Sequence, residues 1–275
     1  MDLQEPLKLA ITAALRAGKE ILEIYDTDFT VEIKSDDTPV TAADKAASNS
    51  IIKDLSVTAI PVLSEEDEHF TFEKRKDWKH LWIIDPLDGT KEFVKRNGEF
   101  TVNIALVEDH EPIIGVIYSP VFRHLYFAAK GLGSFKVNAH DVISLLNSKG
   151  MNDPDSFIKQ AAKLPLSKLP EAYTIVASRS HLSKEVNERI SKAKLSHKEC
   201  NITNTGSSIK FCWVAEGLAH EYPRFGTTME WDTAAGQCII QEAGGEVIDF
   251  ATGLSMKYNR ENLKNNNFVA LAGIN

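Results

Sequence analysis

Cysteine is scarce. Cys200, Cys212 and Cys238 make an odd set among 275 residues, and none of the paired short spacings of a zinc site occurs. A disulfide framework is therefore excluded, and the three read as packing residues of a reducing compartment. Long apolar runs are missing too, so no stretch approaches membrane-spanning length. Met1 to Pro6 has neither the basic start nor the apolar core of an export signal. The expectation is a cytoplasmic protein, with peripheral association at the inner face of the membrane left open. A basic excess is also absent. The formal charge is -8, which argues against a binder of nucleic-acid polymers, since displacing counterions from phosphates needs a basic face. Any phosphate ligand would then need bound cations to supply positive charge.

Hydrophobic residues at 43% and charged residues at 25% are ordinary globular values. The length suits one large domain or two abutting lobes. Leu7, Ala10, Ile11, Ala14, Leu15, Gly18, Ile21, Leu22 and Tyr25 recur at helical intervals and predict an amphipathic first helix. A short strand at Val31 to Ile33 and a polar loop lead to a second helix, from Thr41 to Leu55. Phe100 to Glu108, Ile113 to Ser119 and His124 to Ala129 predict an antiparallel meander. Val142 to Pro170 is irregular, with helical pieces expected around Asp155 to Leu164 and the junction between lobes placed here. Beyond it, strands are expected at Tyr173 to Ala177, Asn201 to Asn204, Ala219 to Tyr222, Glu246 to Ile248 and Phe268 to Ala272. Helices are expected over Ser183 to Ala193, after Gly206-Ser207-Ser208, and from Trp231 through Ile240. Residues 1–140 form the expected first lobe and 141–275 the second, together one catalytic unit.

The chemistry gathers where apolar strands end in acids. Trp82-Ile83-Ile84 runs into Asp85-Pro86-Leu87-Asp88-Gly89-Thr90, and Ile60 to Leu63 runs into Ser64-Glu65-Glu66. Strand ends of this kind deliver charge to a cleft in layered α/β proteins. Asp85 and Asp88 are expected on a turn, with Gly89 and Thr90 opening a helix whose N–H groups could face phosphate. Helix capping is the competing reading for Asp85 and Asp88, for Asp44 three residues after Thr41, for Asp232, and for Ser207 and Ser208. Glu65, Asp85, Asp88 and Asp232 are hard oxygen ligands that select Mg²⁺ or Mn²⁺ over zinc. Two such cations would serve an in-line phosphoryl displacement, with Asp85 as the bridge and Thr90 backed by Asp44 orienting the water.

Val40-Thr41-Ala42-Ala43-Asp44, Ser64-Glu65-Glu66, Trp82 to Thr90 and Trp231-Asp232-Thr233-Ala234-Ala235-Gly236 together resemble the lithium-sensitive, metal-dependent phosphatases of the inositol monophosphatase type. Asp85 to Asn103, Ser178-Arg179-Ser180-His181, Gly206 to Phe211 and Tyr222-Pro223-Arg224-Phe225-Gly226 look like the bacterial 3'(2'),5'-bisphosphate nucleotidase branch. The resemblance implies an α/β (α+β) fold, a layered α-β-α-β-α sandwich. It implies one metal on Glu65, Asp85 and the Leu87 carbonyl, and a second on Asp85, Asp88 and Asp232. Mg²⁺ is the implied cofactor, two or three ions, with Mn²⁺ as a substitute and Li⁺ as an inhibitor. Asp44, Thr90 and Glu65 would be catalytic. Glu65, Leu87, Asp88, Gly89, Thr90, His181, Ser207, Lys210, Arg224 and Asp232 would contact the substrate, a small bisphosphate nucleotide cleaved to AMP and phosphate. The competing activities are an inositol monophosphatase, a sugar bisphosphatase, or a metal-dependent nucleotide sensor without turnover. A haloacid dehalogenase reading fails because Pro86 stands where its second aspartate would be.

Overall fold

The computed structural model describes residues 2–33, 39–67, 69–138, 160–178 and 183–273. In chain order the elements are α1 (Gln4–Tyr25), β1 (Val31–Ile33), β2 (Pro39–Thr41), α2 (Ala42–Leu55), β3 (Val62–Ser64), α3 (Phe72–Arg75) and β4 (His80–Asp88). Then come α4 (Thr90–Val94), β5 (Thr101–Glu108), β6 (Glu111–Ser119), β7 (His124–Ala129), β8 (Gly133–Asn138) and β9 (Ala162–Lys163). The second half holds β10 (Tyr173–Ser178), α5 (Lys184–Ser196), β11 (Cys200–Thr205), α6 (Ile209–Glu216), β12 (Glu221–Arg224), α7 (Glu230–Glu242), β13 (Glu246–Asp249) and β14 (Phe268–Leu271).

Period-two alternation builds the layers. In β4 and β5, Trp82, Ile84, Val102, Ile104 and Leu106 face α1 and α2, while Leu81, Ile83, Ala105 and Val107 face α6 and α7. These strands belong to a seven-stranded sheet ordered β3-β4-β5-β6-β7-β8-β9. On the far side of α6 and α7 lies a five-stranded sheet ordered β11-β10-β12-β14-β13, whose Tyr222, Val247, Phe268 and Ala270 share the central core. Its outer face carries Ile175 and Ala177 against Val186, Ile190 and Ala193 of α5. The result is the α-β-α-β-α sandwich. Small residues set the spacing in its middle: a Cβ at Gly115 would lie 2.4 Å from the Ala235 carbonyl oxygen, and one at Gly236 would lie 2.4 Å from the Phe211 ring.

Three details differ from the sequence reading. β4 continues through Pro86 to Asp88, so the two aspartates sit on a bulged strand rather than on a turn. The register with β5 shifts between Asp85 and Asp88, where the amide that proline lacks is not needed by the ladder. β12 likewise runs past Tyr222, where the expected strand stops, to include Pro223 and Arg224, because β14 pairs with it from Glu221 to Arg224. The helical pieces expected around Asp155 to Leu164 fall partly outside the described residues. Where the chain is described again, Ala162 and Lys163 add a short strand to β8 instead, satisfying backbone groups at its edge.

Candidate active site

The C-terminal ends of β3, β4, β10 and β12 and the N-termini of α4, α5 and α7 surround one cleft of about 750 Å³. Glu65, Asp85, Leu87, Asp88, Gly89, Thr90, Arg224 and Asp232 all line it. Glu65 leaves β3 with its amide donating to the Ile84 carbonyl, which ties it to β4. Carboxylate oxygens of Glu65, Asp85 and Asp232 lie within 4.8 Å of one another.

Capping does not account for Asp85 and Asp88. The N-cap of α4 is Gly89, at φ 97°, a left-handed conformation that glycine adopts without penalty, and no side chain caps that helix. Asp85 is 1% exposed, and its Oδ1 accepts from the Leu87 amide at 3.0 Å. Burial pushes its carboxyl well above the usual carboxylate range. Glu65, Asp88, Asp232 and Asp44 push the same way, so the neighbouring charges that raise it are all negative. Asp232 is raised for the same reasons, burial first and then Asp88 and Glu65. Buried carboxylates collected without a cation are costly, and an all-oxygen donor set of this charge fits a hard divalent metal.

Asp44 and Asp232 do two jobs each. Asp44 Oδ2 accepts from the Thr41 amide and the Thr41 hydroxyl, both at 2.7 Å, closing the capping box of α2. Its Oδ1 is left for the Thr90 hydroxyl at 3.2 Å. Burial raises the Asp44 carboxyl, and the hydrogen bonds from Thr41 and Thr90 oppose that rise. Asp232 Oδ2 accepts from the Met229 amide at 2.8 Å, which starts α7.

Asp88 stands beside the trio and is held by residues that the motif reading passed over. Its Oδ2 accepts from the Ser208 amide and the Ser208 hydroxyl, each at 2.6 Å, and from Asn103 Nδ2 at 3.3 Å. Asn103 also donates to Ser208 Oγ at 2.9 Å. A buried asparagine in the apolar run of β5 was the available signal, since Asn103 pairs with Asp85 across the ladder. Ser208 was hidden by its resemblance to a helix cap, yet its side chain makes no cap bond. Ser208→Ala is expected to lower metal affinity about 10- to 100-fold, as loss of a ligand-orienting partner does, with the fold intact. Calorimetric Mg²⁺ titration of the variant checks this, and unchanged affinity would count against it.

Gly206, Ser207 and Lys210 line a smaller pocket that shares Asp88, Gly89, Arg224 and Asp232 with the main cleft. Lys210 is 4% exposed and donates to the Ser207 carbonyl at 2.6 Å. Desolvation pulls its amine down to about 8, against the opposing pull of Asp88. Arg224 donates from Nη2 to the Thr227 carbonyl at 3.0 Å, while its buried Nε has no protein partner. His181 lies outside the described residues.

Residues 2–272 match the inositol monophosphatase family. The chain belongs to that family. Inositol monophosphatase family members are metal-dependent, and the acidic trio offers a place for the ion. The chain is 43% identical over 264 residues to the 3'(2'),5'-bisphosphate nucleotidase CysQ of Salmonella typhimurium, covering 93% of this chain and 95% of that one. It is 42% identical over 266 residues to the protein of the same name from Buchnera aphidicola, with 94% and 91% covered. The crystal structure of CysQ from Bacteroides thetaiotaomicron, described as a bacterial member of the inositol monophosphatase family, superposes with a TM-score of 0.88 at 43% identity, covering 98% of each chain. An IMPase from Thermotoga maritima shares the fold, with a TM-score of 0.74 at 22% identity and coverage of 98% and 93%.

Proposed function

We propose that the protein is a Mg²⁺-dependent 3'(2'),5'-bisphosphate nucleotidase that removes the 3'-phosphate of adenosine 3',5'-bisphosphate. The likeness to the named nucleotidases supports the reaction. The choice of a bisphosphate rests on one observation: Arg224, with its Nε unpartnered, shares the cleft with the carboxylate cluster. A substrate with a second phosphate can use both ends. A monophosphate uses only one.

In this reading Glu65, Asp85 and the Leu87 carbonyl would hold one ion, and Asp85, Asp88 and Asp232 a second, two or three ions in all. Mn²⁺ substitutes and Li⁺ inhibits. The ions supply charge neutralisation of the phosphate and a more acidic water. The chain's own residues do the rest. Thr90 accepts a proton at Oγ1 while donating its own toward Asp44 Oδ1, so the water is aimed and its proton has a destination. Gly89 and Thr90 present backbone N–H groups to the scissile phosphate. Ser207, Lys210, Arg224 and His181 take the remainder of the nucleotide. The lobes 1–140 and 141–275 act as one unit, because Asp232 of the second reaches the acids of the first. The free cysteines suit the cytoplasm. Among the described residues no helix is long and apolar enough to cross a membrane.

Phosphate release from adenosine 3',5'-bisphosphate and from inositol 1-phosphate, with Mg²⁺ and with Li⁺ added, tests the reading. The nucleotide is expected to be the better substrate by kcat/KM and to lose turnover in Li⁺. Faster release from inositol 1-phosphate would replace the proposal with an inositol monophosphatase.

A further inference from the structure

The cleft does not end at its charged groups. Phe225 and Val186 line it together with the acidic trio. The Phe225 ring is stacked on Phe250, with centroids 5.0 Å apart and planes 16° from parallel. Phe250 is 40% exposed, and the Arg189 guanidinium lies 5.6 Å from its centroid. Arg189 is itself fixed by Glu221, with Nε donating to Oε1 at 2.9 Å and Nη2 to Oε2 at 2.5 Å. Glu221 is 1% exposed, so the fork holds the half-exposed Arg189 on a buried carboxylate. Glu221 opens β12 and Phe225 follows the end of the same strand, so one short element sets both.

This arrangement has no use in metal binding. Phe250 touches both the Arg189 guanidinium and the Phe225 ring, and Phe225, which also packs against the cluster of Ile175 and Val186, borders a cleft of the size that takes small-molecule ligands. Arg224, one residue before Phe225, brings its positive charge to the same cleft. A ligand that combines an anion with a flat aromatic group matches both neighbours, because base–aromatic stacking needs a π-face and little else. Inositol and sugar phosphates have no such group.

We propose that the Phe225–Phe250 pair, backed by Arg189, is the surface on which the substrate's nucleobase stacks. The inference rests on the nucleotidase reading and assigns its specificity to an aromatic wall. The wall tolerates different bases, since no base-edge donor or acceptor is asked of it.

The test compares wild type, Phe225→Ala, Phe225→Leu, Phe225→Trp and Phe250→Ala on adenosine 3',5'-bisphosphate and on its abasic analogue, 1-deoxyribose 3,5-bisphosphate. For the nucleotide, KM is expected to rise about tenfold in the Ala and Leu variants at position 225, and less in Phe250→Ala. Phe225→Trp is expected to keep the wild-type KM. kcat should hold within about twofold throughout, as for loss of uniform binding. KM for the abasic analogue should not move. Equal rises for both substrates, or no rise for the nucleotide, would overturn the wall. Phe225→Leu keeps apolar volume, and Phe250→Ala alters an exposed ring, so folding failure of Phe225→Ala leaves two informative variants. A wild type that is active on the nucleotide, with variants that match it, removes the wall alone. A wild type inactive on the nucleotide removes the nucleotidase reading and the wall with it.

Discussion

Asp85→Asn is expected to lower kcat by on the order of 10³-fold and, in metal-free protein, to raise Tm. Both effects come from the same carboxylate. In the proposed assignment Asp85 is the ligand common to both ions, so its loss weakens both positions at once. Without metal it is a fully buried group whose carboxyl is raised by burial and by Glu65, Asp88, Asp232 and Asp44. A carboxyl raised in the folded state binds its proton more tightly there than in the unfolded chain. It therefore favours folding in acid, and that advantage is lost as pH climbs from the ordinary carboxylate value through the folded one. Asparagine mimics the neutral form at every pH. Its stabilising effect should be present at neutral pH and vanish in acid. It can still accept the Leu87 amide through its own Oδ1, so the bulge of β4 is preserved. Mg²⁺ should raise the Tm of wild type by mass action and that of the variant far less. Thermal melts from pH 4 to 8 with and without Mg²⁺, beside phosphate release, make the measurement. A variant with the wild-type Mg²⁺ shift would refute the shared-ligand assignment.

What could be read in the sequence was whatever is local. Glu65, Asp85 and Asp88 announced themselves as acids after apolar strands, and the alternation in β5, β6 and β7 exposed the meander. Asp44 and Asp232 were each open to two readings, and the structure shows why. Each carboxylate spends one oxygen on a helix start, while Asp44 Oδ1 takes the Thr90 hydroxyl and Asp232 also offers an oxygen to the acidic trio. What could not be read was register and long-range pairing. The hold of Ser208 on Asp88 spans 120 positions, and that of Asn103 depends on which residue faces Asp85 across a bulged ladder. Phe225 stood in the segment Tyr222 to Gly226 that resembles the nucleotidases, but it was given no role there. An aromatic after a strand is ordinarily core, and only the stack on Phe250 beside the cleft sets it apart.

Thr90→Val is expected to cost about 10²- to 10³-fold in kcat with little change in KM, the scale of losing a positioned proton acceptor. Valine keeps the shape of threonine but neither accepts nor donates. α4 should be undisturbed, since its cap is the glycine backbone and not the Thr90 side chain. Asp44→Asn attacks the same relay from its far end, because an amide nitrogen turned toward Thr90 Oγ1 cannot take its proton. In that orientation the amide oxygen still accepts from Thr41, so the capping box is kept and little change in Tm is expected for either variant. If the two residues pass one proton, the double variant should be no slower than the slower single one, a coupling that independent contributions would not produce. The wild-type pH profile supplies a further check. Activity requires Asp44 ionised, and burial raises its carboxyl, so the acid limb should lie above the pH of an ordinary aspartate. Multiplying losses in the double variant, with an acid limb at the ordinary carboxylate pH, would show that Thr90 and Asp44 act separately.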